Sequence, residues 1–306
     1  MIHLISKKVL LLAAACLLLS ACGQKQATPE PAPSVIESNA TLPSGGNSAA
    51  SPDSETGQNQ ETEQEPENGT DPAGTDEQNK DDEQNGQEQP AILYHINKAY
   101  NVVPNEEGTE KKVVLLTFDD GPKEQEMIDG LIDTLDKHNA KAIVFINGYR
   151  VKSKPELLQL IHDRGQIIGN HSWDHIDLKK ETEASAQKQV EDVQNIVEET
   201  IGEKPRFFRP PFGSGNDKLH QIVEENDMIY MTWSNGSLDW DSKNKNKPDA
   251  VIQNVMDQLH AGSNILMHEL PWTVEALDEL LTKLEAKGYS FVDPRTISEK
   301  PEDTKS

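Results

Sequence analysis

The stretch 115-LLTFDDGPKE-124 decides how the rest of the chain is read. An apolar run suited to a buried strand ends on two adjacent carboxylates, Asp119 and Asp120, and Gly121 and Pro122 follow at once. Two like charges in a low-dielectric place push one of them towards protonation unless a cation neutralises the pair. The stretch therefore asks for a metal ion. The alternative is a solvated strand-end turn, because Asp-Gly-Pro is ordinary turn chemistry. Whether other segments supply ligands decides between the two.

Outward from this stretch, strand-like and helix-like patterns alternate with short breaks. The predicted strands are VVLLTF (113–118), AIVFING (142–148), QIIGNHS (166–172), RFFRPP (206–211), MIYMTWS (228–234), NILMHE (264–269) and YSFVD (289–293). Six helical segments lie between them. Pro155 suits the first turn of one, and Gly202 closes another. Continuous apolar strands of this kind fit a parallel sheet covered on both faces. Periodicity leaves an open doubly wound sheet and a closed barrel equally possible.

The polar residues fall at strand ends. Asp119 and Asp120 follow the first strand, His171 the third, Arg209 the fourth and Asp239 the fifth, while His268 ends the sixth. In a parallel sheet these carboxyl ends share one edge, where barrels and doubly wound folds build their sites. In NHSWDH (170–175), His171 and His175 are four residues apart. On a strand their rings would lie about 13 Å apart, too far to share an ion. A helical turn or a tight loop would bring both within reach of one metal, and a carboxylate from another strand end would complete a two-nitrogen, one-oxygen site.

TFDDGP (117–122), HSWDH (171–175), RPPFG (209–213), DW (239–240) and LMH (266–268) together resemble the five ordered motifs of the polysaccharide deacetylase family, also called NodB-homology or carbohydrate esterase family 4 domains. The resemblance runs from about Val113 to Asp293. It implies a distorted (β/α) barrel of about seven parallel strands. It also implies that Asp120, His171 and His175 hold a divalent metal, for which zinc fits the ligands and cobalt, nickel, iron and manganese are alternatives. Asp119 would be the general base acting on the attacking water, with Arg209 fixing its direction. His268 would be the general acid for the departing amine, oriented by Asp239, so that base and acid carry opposite proton occupancy and the rate profile is bell-shaped. The main-chain N–H of Phe212 would be an oxyanion donor, and Trp240 and Leu266 would line the pocket for the acetyl methyl.

The chain departs from the family pattern in places. Phe212 stands where most relatives have Tyr, which removes a hydroxyl contact to sugar. AIVF (142–145) replaces the usual ATFF, and WSNGSLDW (233–240) is closer to the branch acting on muramic acid. That branch often has Asn at the position of Asp120, whereas both carboxylates are kept here. The expected activity is therefore a metal-dependent de-N-acetylase of peptidoglycan or a related cell-surface glycan, with the sugar open between glucosamine and muramic types. Alternatives are a chitooligosaccharide or exopolysaccharide deacetylase, an acetylxylan esterase, or a catalytically silent glycan-binding lipoprotein. His95, His138, His162, His220 and His260 are expected to be structural or solvated.

The N-terminal third reads differently. Lys7 and Lys8, a short apolar run from Val9 to Leu19 and the stretch LSAC (19–22) have the layout of a secretion signal and resemble the lipobox of bacterial lipoproteins. Residues 1–21 would then be the signal peptide and Cys22 the acylated N-terminus, carrying two chains into the membrane. Cys16 would be removed with the signal, leaving no pair for a disulfide. Residues 22–90 read as a disordered acidic tether: from Gly23 to Pro90 there is no aromatic residue, and fifteen acids against two bases account for 13 of the 24 excess negative charges. As a flexible coil it would average about 45 Å end to end. Residues 91–111 would be a lead-in, 112–297 the deacetylase domain and 298–306 a disordered tail. The net charge of −24 argues against nucleic acid or anionic lipid as partners. The expected protein is an extracytoplasmic, lipid-anchored monomer whose partner is an N-acetylated glycan.

Overall fold

A computed structural model describes residues 90–298. The expected signal peptide, Cys22, nearly all of the tether and all but the first residue of the tail lie outside the described residues.

Strands β1 (Tyr94–Ile96) and β2 (Val102–Pro104) form an antiparallel hairpin within the expected lead-in, where no strand was anticipated. The chain then runs β3 (Val113–Gly121), α1 (Gln125–Lys137), β4 (Ala142–Ile146), α2 (Gly148–Ser153), α3 (Pro155–Asp163), β5 (Ile167–Asn170) and α4 (Glu183–Ile201). It continues with β6 (Phe207–Phe208), α5 (Asp217–Glu225), β7 (Ile229–Tyr230), β8 (Asn235–Gly236), α6 (Pro248–Asp257), β9 (Ser263–His268), α7 (Pro271–Ala286) and β10 (Ser290–Phe291). The seven expected strands are all present. The additions are the hairpin, the two-residue β8 and the short α2.

Seven strands are hydrogen-bonded in the order β7-β6-β5-β4-β3-β9-β8, all parallel, and β10 pairs with the start of β3. The edge strands β7 and β8 are consecutive in sequence, so the chain between them crosses the gap left in the curled sheet. Along this crossing Met231 N–H donates to Phe208 O (2.9 Å) and Ser234 N–H donates to Asn264 O (3.1 Å). This is the distorted (β/α) barrel that the resemblance implied.

Strand periodicity sorts the core into an inside and an outside. On β3, Val114, Leu116 and Phe118 pack outwards with Leu131 and Leu135 of α1 and Leu277, Leu280 and Leu281 of α7. The alternate residues Val113 and Leu115 share the interior with Ile143, Phe145, Phe207 and Met231, and Tyr94, Ile96 and Val102 of the hairpin join that cluster. In α7 the buried positions Thr273, Ala276, Leu277, Leu280, Leu281 and Leu284 follow one helical face. As expected, Pro155 opens α3 and Gly202 ends α4, in the left-handed region at φ 82°.

Candidate metal centre and catalytic rim

Asp119 follows the interior register of β3 and is 3% exposed, so the next residue in a regular strand would point at the helices. Both carboxylates converge by another route: β3 continues through Gly121, and its register with β4 shifts between Phe118 and Gly121, so that Asp119 and Asp120 together oppose one residue of β4. At this bulge Asp120 adopts φ 66°, which swings its side chain to the rim. The Gly121–Pro122 peptide bond is cis.

The loop after β5 delivers the two histidines. It is a tight loop and not a helix, with Ser172 at φ 66° and His175 at φ 55°. Gln189 of α4 holds it: the Trp173 and Asp174 N–H groups donate to its main-chain and side-chain oxygens at 3.0 and 2.8 Å. The two imidazole rings lie 5.0 Å apart. His175 Nε2 is 3.2 Å and His171 Nε2 3.6 Å from Asp120 Oδ1. His171 Nδ1–H donates to Arg209 O at 2.7 Å, which leaves Nε2 with its lone pair towards the cluster.

These three residues form a group able to hold a metal ion, with one ligand atom of each lying within 4.8 Å of the others. Two further observations fit such an ion. Asp120 Oδ1 is buried without a hydrogen-bond partner, and burial lowers the pKa of His171 against the pull of Asp119 and Asp120, favouring the neutral, ligating imidazole. Burial works to raise the Asp120 pKa, but His171, His268, His175 and Lys123 outweigh it and hold the carboxyl below its ordinary value. The donor set of two nitrogens and one oxygen is that of hydrolytic metal sites with open positions.

Arg209 is fully buried and its five N–H donors are all used. Nη1 donates to Asp119 Oδ1 (2.7 Å) and Thr117 Oγ1 (2.8 Å), Nη2 to Thr232 O (2.8 Å) and Asn264 Oδ1 (3.2 Å), and Nε to Thr232 O (3.1 Å). The guanidinium thus joins the rim to the segment that crosses the barrel gap. Its underside rests on the Phe145 ring at 4.3 Å.

Across the rim, Asp119 pairs in register with His268 on β9. Asp239, fully buried, receives His268 Nδ1–H at 2.8 Å on Oδ1, and the His268 N–H and Thr273 Oγ1–H on Oδ2, both at 2.7 Å. Burial works to lower the His268 pKa, but Asp239, with Asp119 and Asp120, outweighs it and holds the imidazole above its ordinary value. Trp240 is 44% exposed, with its ring 5.2 Å from that of His268. Leu266 is buried two residues before His268. Phe212 is 66% exposed, has φ 60° and meets the His175 ring edge-on at 4.8 Å. All ten expected site residues of the folded part therefore lie on or beside one rim.

The sequence reading missed Glu269, Thr117, Asn264, Thr232, Thr273 and Gln189. Glu269 is 1% exposed and accepts N–H bonds from Lys123 (2.9 and 3.0 Å) and Glu124 (2.8 Å), tying the loop after the bulge to β9. A carboxylate directly after His268 was the one available signal. Of the histidines set aside, His138 bridges Asp278 and Glu285 and His260 bonds Asn101, both away from the rim.

The chain matches the polysaccharide deacetylase family over residues 106–231. It is 35% identical over 200 residues to the peptidoglycan-N-acetylmuramic acid deacetylase PdaC of Bacillus subtilis, covering 64% of this chain and 41% of that protein. It is 32% identical over 187 residues to the peptidoglycan-N-acetylmuramic acid deacetylase PdaA of the same organism, covering 60% of this chain and 70% of that protein. A crystal structure of a CE4 family pseudoenzyme from Bacillus anthracis superposes with a TM-score of 0.57 at 33% identity, covering 60% of this chain and 63% of that one. The chain belongs to the polysaccharide deacetylase family. It spans about two fifths of PdaC, so what PdaC does as a whole is not carried over with the fold.

Proposed function

We propose that this chain is a metal-dependent de-N-acetylase that hydrolyses the acetamide of N-acetylated sugars in peptidoglycan or a related cell-surface glycan. The observation that carries the reading is the joint presence, on one rim, of a metal-ligand cluster, an arginine-held carboxylate and a carboxylate-held histidine. Asp120, His171 and His175 hold the ion, and zinc suits this donor set best. When bound, the ion polarises the acetamide carbonyl and acidifies the attacking water.

The protein's own residues do the rest. Asp119, aimed by Arg209, accepts the proton of the attacking water. The Phe212 main-chain N–H donates to the developing oxyanion, and Trp240 and Leu266 receive the acetyl methyl. His268, with Nδ1–H engaged by Asp239, gives a proton from Nε2 to the departing amine. Acetate leaves and a free amino sugar remains. The likeness to a pseudoenzyme gives a second reading a definite form, a glycan-binding protein without turnover. The cluster and both proton-transfer residues favour catalysis.

The function of the N-terminal third completes the proposal: Cys22 is the lipidated residue, residues 22–90 are the tether and residues 112–297 form the catalytic domain outside the membrane. Among the described residues no helix is long and apolar enough to cross a membrane. The test is acetate release from purified peptidoglycan, chitooligosaccharide and acetylated xylan, measured side by side for the wild type and Asp119→Asn. Loss of turnover with glycan binding retained is expected. Equal low turnover in both forms would leave the binding reading.

A further inference from the structure

Arg150 differs from Arg209, Arg164 and Arg295 in what its guanidinium lacks. Arg209 uses every donor, Arg164 binds Asp133 and Asp136 at 2.7 and 2.8 Å, and Arg295 pairs with Asp293 at 2.6 Å. The Arg150 guanidinium has no hydrogen bond or ion pair among the described residues, and its Nε is buried without a partner. Its contact is the ring of its neighbour Tyr149, 5.0 Å away and itself 40% exposed. A buried, unpaired guanidinium donor costs free energy unless a ligand supplies the acceptor.

The position of Arg150 relates it to the rim. It lies in α2, directly after β4, and the start of α2 is bonded to the histidine loop: Gly148 N–H donates to Ser172 O (3.3 Å) and Tyr149 N–H to Trp173 O (3.2 Å). A second cation, Lys123, follows Asp120 by three residues and is anchored by Nζ to Glu269 O at 3.1 Å. Lys154 at the end of α2 ties the two segments through Lys123 O (2.7 Å) and Glu124 Oε1 (3.0 Å). The carboxylates nearby are committed. Glu269 accepts the Lys123 and Glu124 N–H groups, Glu124 pairs with Lys154, and Asp120 faces the histidines. In a chain of net charge −24, an arginine without an acceptor among the described residues, whose charge acts on Lys123 and Glu269, is a local reversal of sign.

We infer that Arg150, supported by Lys123, is a carboxylate-binding subsite that selects an acidic N-acetylated glycan over a neutral one. The inference rests on the deacetylase reading and names the substrate class within it. A planar guanidinium receives a carboxylate through two parallel N–H bonds, a geometry an ammonium cannot offer. In muramic acid a lactyl ether stands on the ring carbon next to the one bearing the acetamide, so a sugar whose acetamide is held at the ligand cluster carries its carboxylate beside it. Stem-peptide carboxylates are the other source of the same chemistry in peptidoglycan.

The test uses the full chain loaded with zinc and three soluble oligomers: chitooligosaccharide, a muramic-acid-containing glycan with free lactyl carboxylates, and the same glycan with those carboxyls in amide linkage to stem peptides. Arg150→Gln is expected to lower kcat/KM about tenfold on a carboxylate-bearing oligomer and to leave chitooligosaccharide within about twofold, with Arg150→Lys recovering part of the loss. Loss confined to the free-lactyl oligomer assigns the ligand to the lactyl group, and loss confined to the peptide-bearing oligomer assigns it to the stem. Methyl esterification of whichever carboxylate the variant identifies should lower the wild-type value in the same way, which tests the subsite without any variant. Equal loss on neutral and acidic oligomers, or no loss on either, would overturn the inference. Calorimetric binding in an Asp119→Asn background gives the same comparison without turnover. Absence of acetate release from every oligomer would thus count against the deacetylase reading, while the binding series still decides the subsite.

Discussion

Arg209 and Asp119 meet at 2.7 Å with side-chain exposures of 0% and 4%, a charge pair closed off inside the barrel. Burial pulls the guanidinium pKa below its ordinary value while Asp119 pulls it back. Such a pair is tolerated because every donor is satisfied, and its value lies in fixing a direction more than in net stability.

Removing the cation should therefore be costly. Arg209→Ala leaves the buried Asp119 carboxylate without its cation, and is expected to destabilise the fold by about 3–5 kcal/mol. Arg209→Lys should also fail, since an ammonium cannot serve acceptors arranged for a planar fork. Thermal unfolding followed by circular dichroism checks both, with a fall in Tm on the order of 10 °C for the alanine variant.

The two neighbouring carboxylates should separate by function. Asp119→Asn is expected to lower kcat by roughly 10²–10⁴-fold while zinc affinity stays within a few-fold. Asp120→Asn should instead weaken zinc binding, because it removes the anionic ligand. Zinc titration calorimetry beside acetate release tests the split. Equal loss of zinc from both variants would remove the distinction between base and ligand.

His268 supplies a pH dependence whose sign is determined. Its folded-state pKa is raised above the ordinary 6.5, with Asp239 overcoming the effect of burial. The stabilisation from that pairing is therefore fully present below about pH 6.5 and lost as pH rises through the folded value. The protonated acid is the active form, so kcat/KM should fall along the same alkaline limb. Asp239→Asn should move that limb to lower pH, and an unmoved limb would mean another group titrates there.

Glu269 should matter although it touches no expected reacting atom. Glu269→Ala orphans the Lys123 and Glu124 N–H groups, which is expected to cost roughly 2–3 kcal/mol. It also frees the loop that follows the Asp120 bulge, so zinc affinity should drop about tenfold or more. Glu269→Gln keeps one acceptor oxygen and should show the smaller loss of both.

Chelation should abolish turnover, and added zinc should restore it. Bound metal should also raise the unfolding free energy by about 2.7 kcal/mol at a free concentration one hundred times Kd. Denaturant titration with and without zinc measures this independently of activity.

Much of the fold was legible because its signals are local. Apolar runs such as VVLLTF and NILMHE become β3 and β9, and the proline and glycine punctuation places the helix ends. The site residues were legible because a parallel sheet sends each strand end to one edge, so that order along the chain becomes proximity in space. Strand β8 was missed because two residues, Asn235 and Gly236, carry no periodicity. The hairpin of residues 94–104 was missed because its three-residue strands acquire meaning only by packing against Val113, Leu115 and Ile297.

From its sequence alone this chain could be assigned strand ends, spacings and residue types, because these depend on neighbours a few positions away. Tertiary structure decided how two adjacent aspartates face one centre, since a bulge and a left-handed backbone at Asp120 arise only when β3 meets β4 out of step. It also decided which charges are answered: the Arg209 fork is filled by groups from three separate segments, and the guanidinium of Arg150 by none among the described residues. Hydrogen bonding over such distances in the chain follows from burial, which local sequence does not encode.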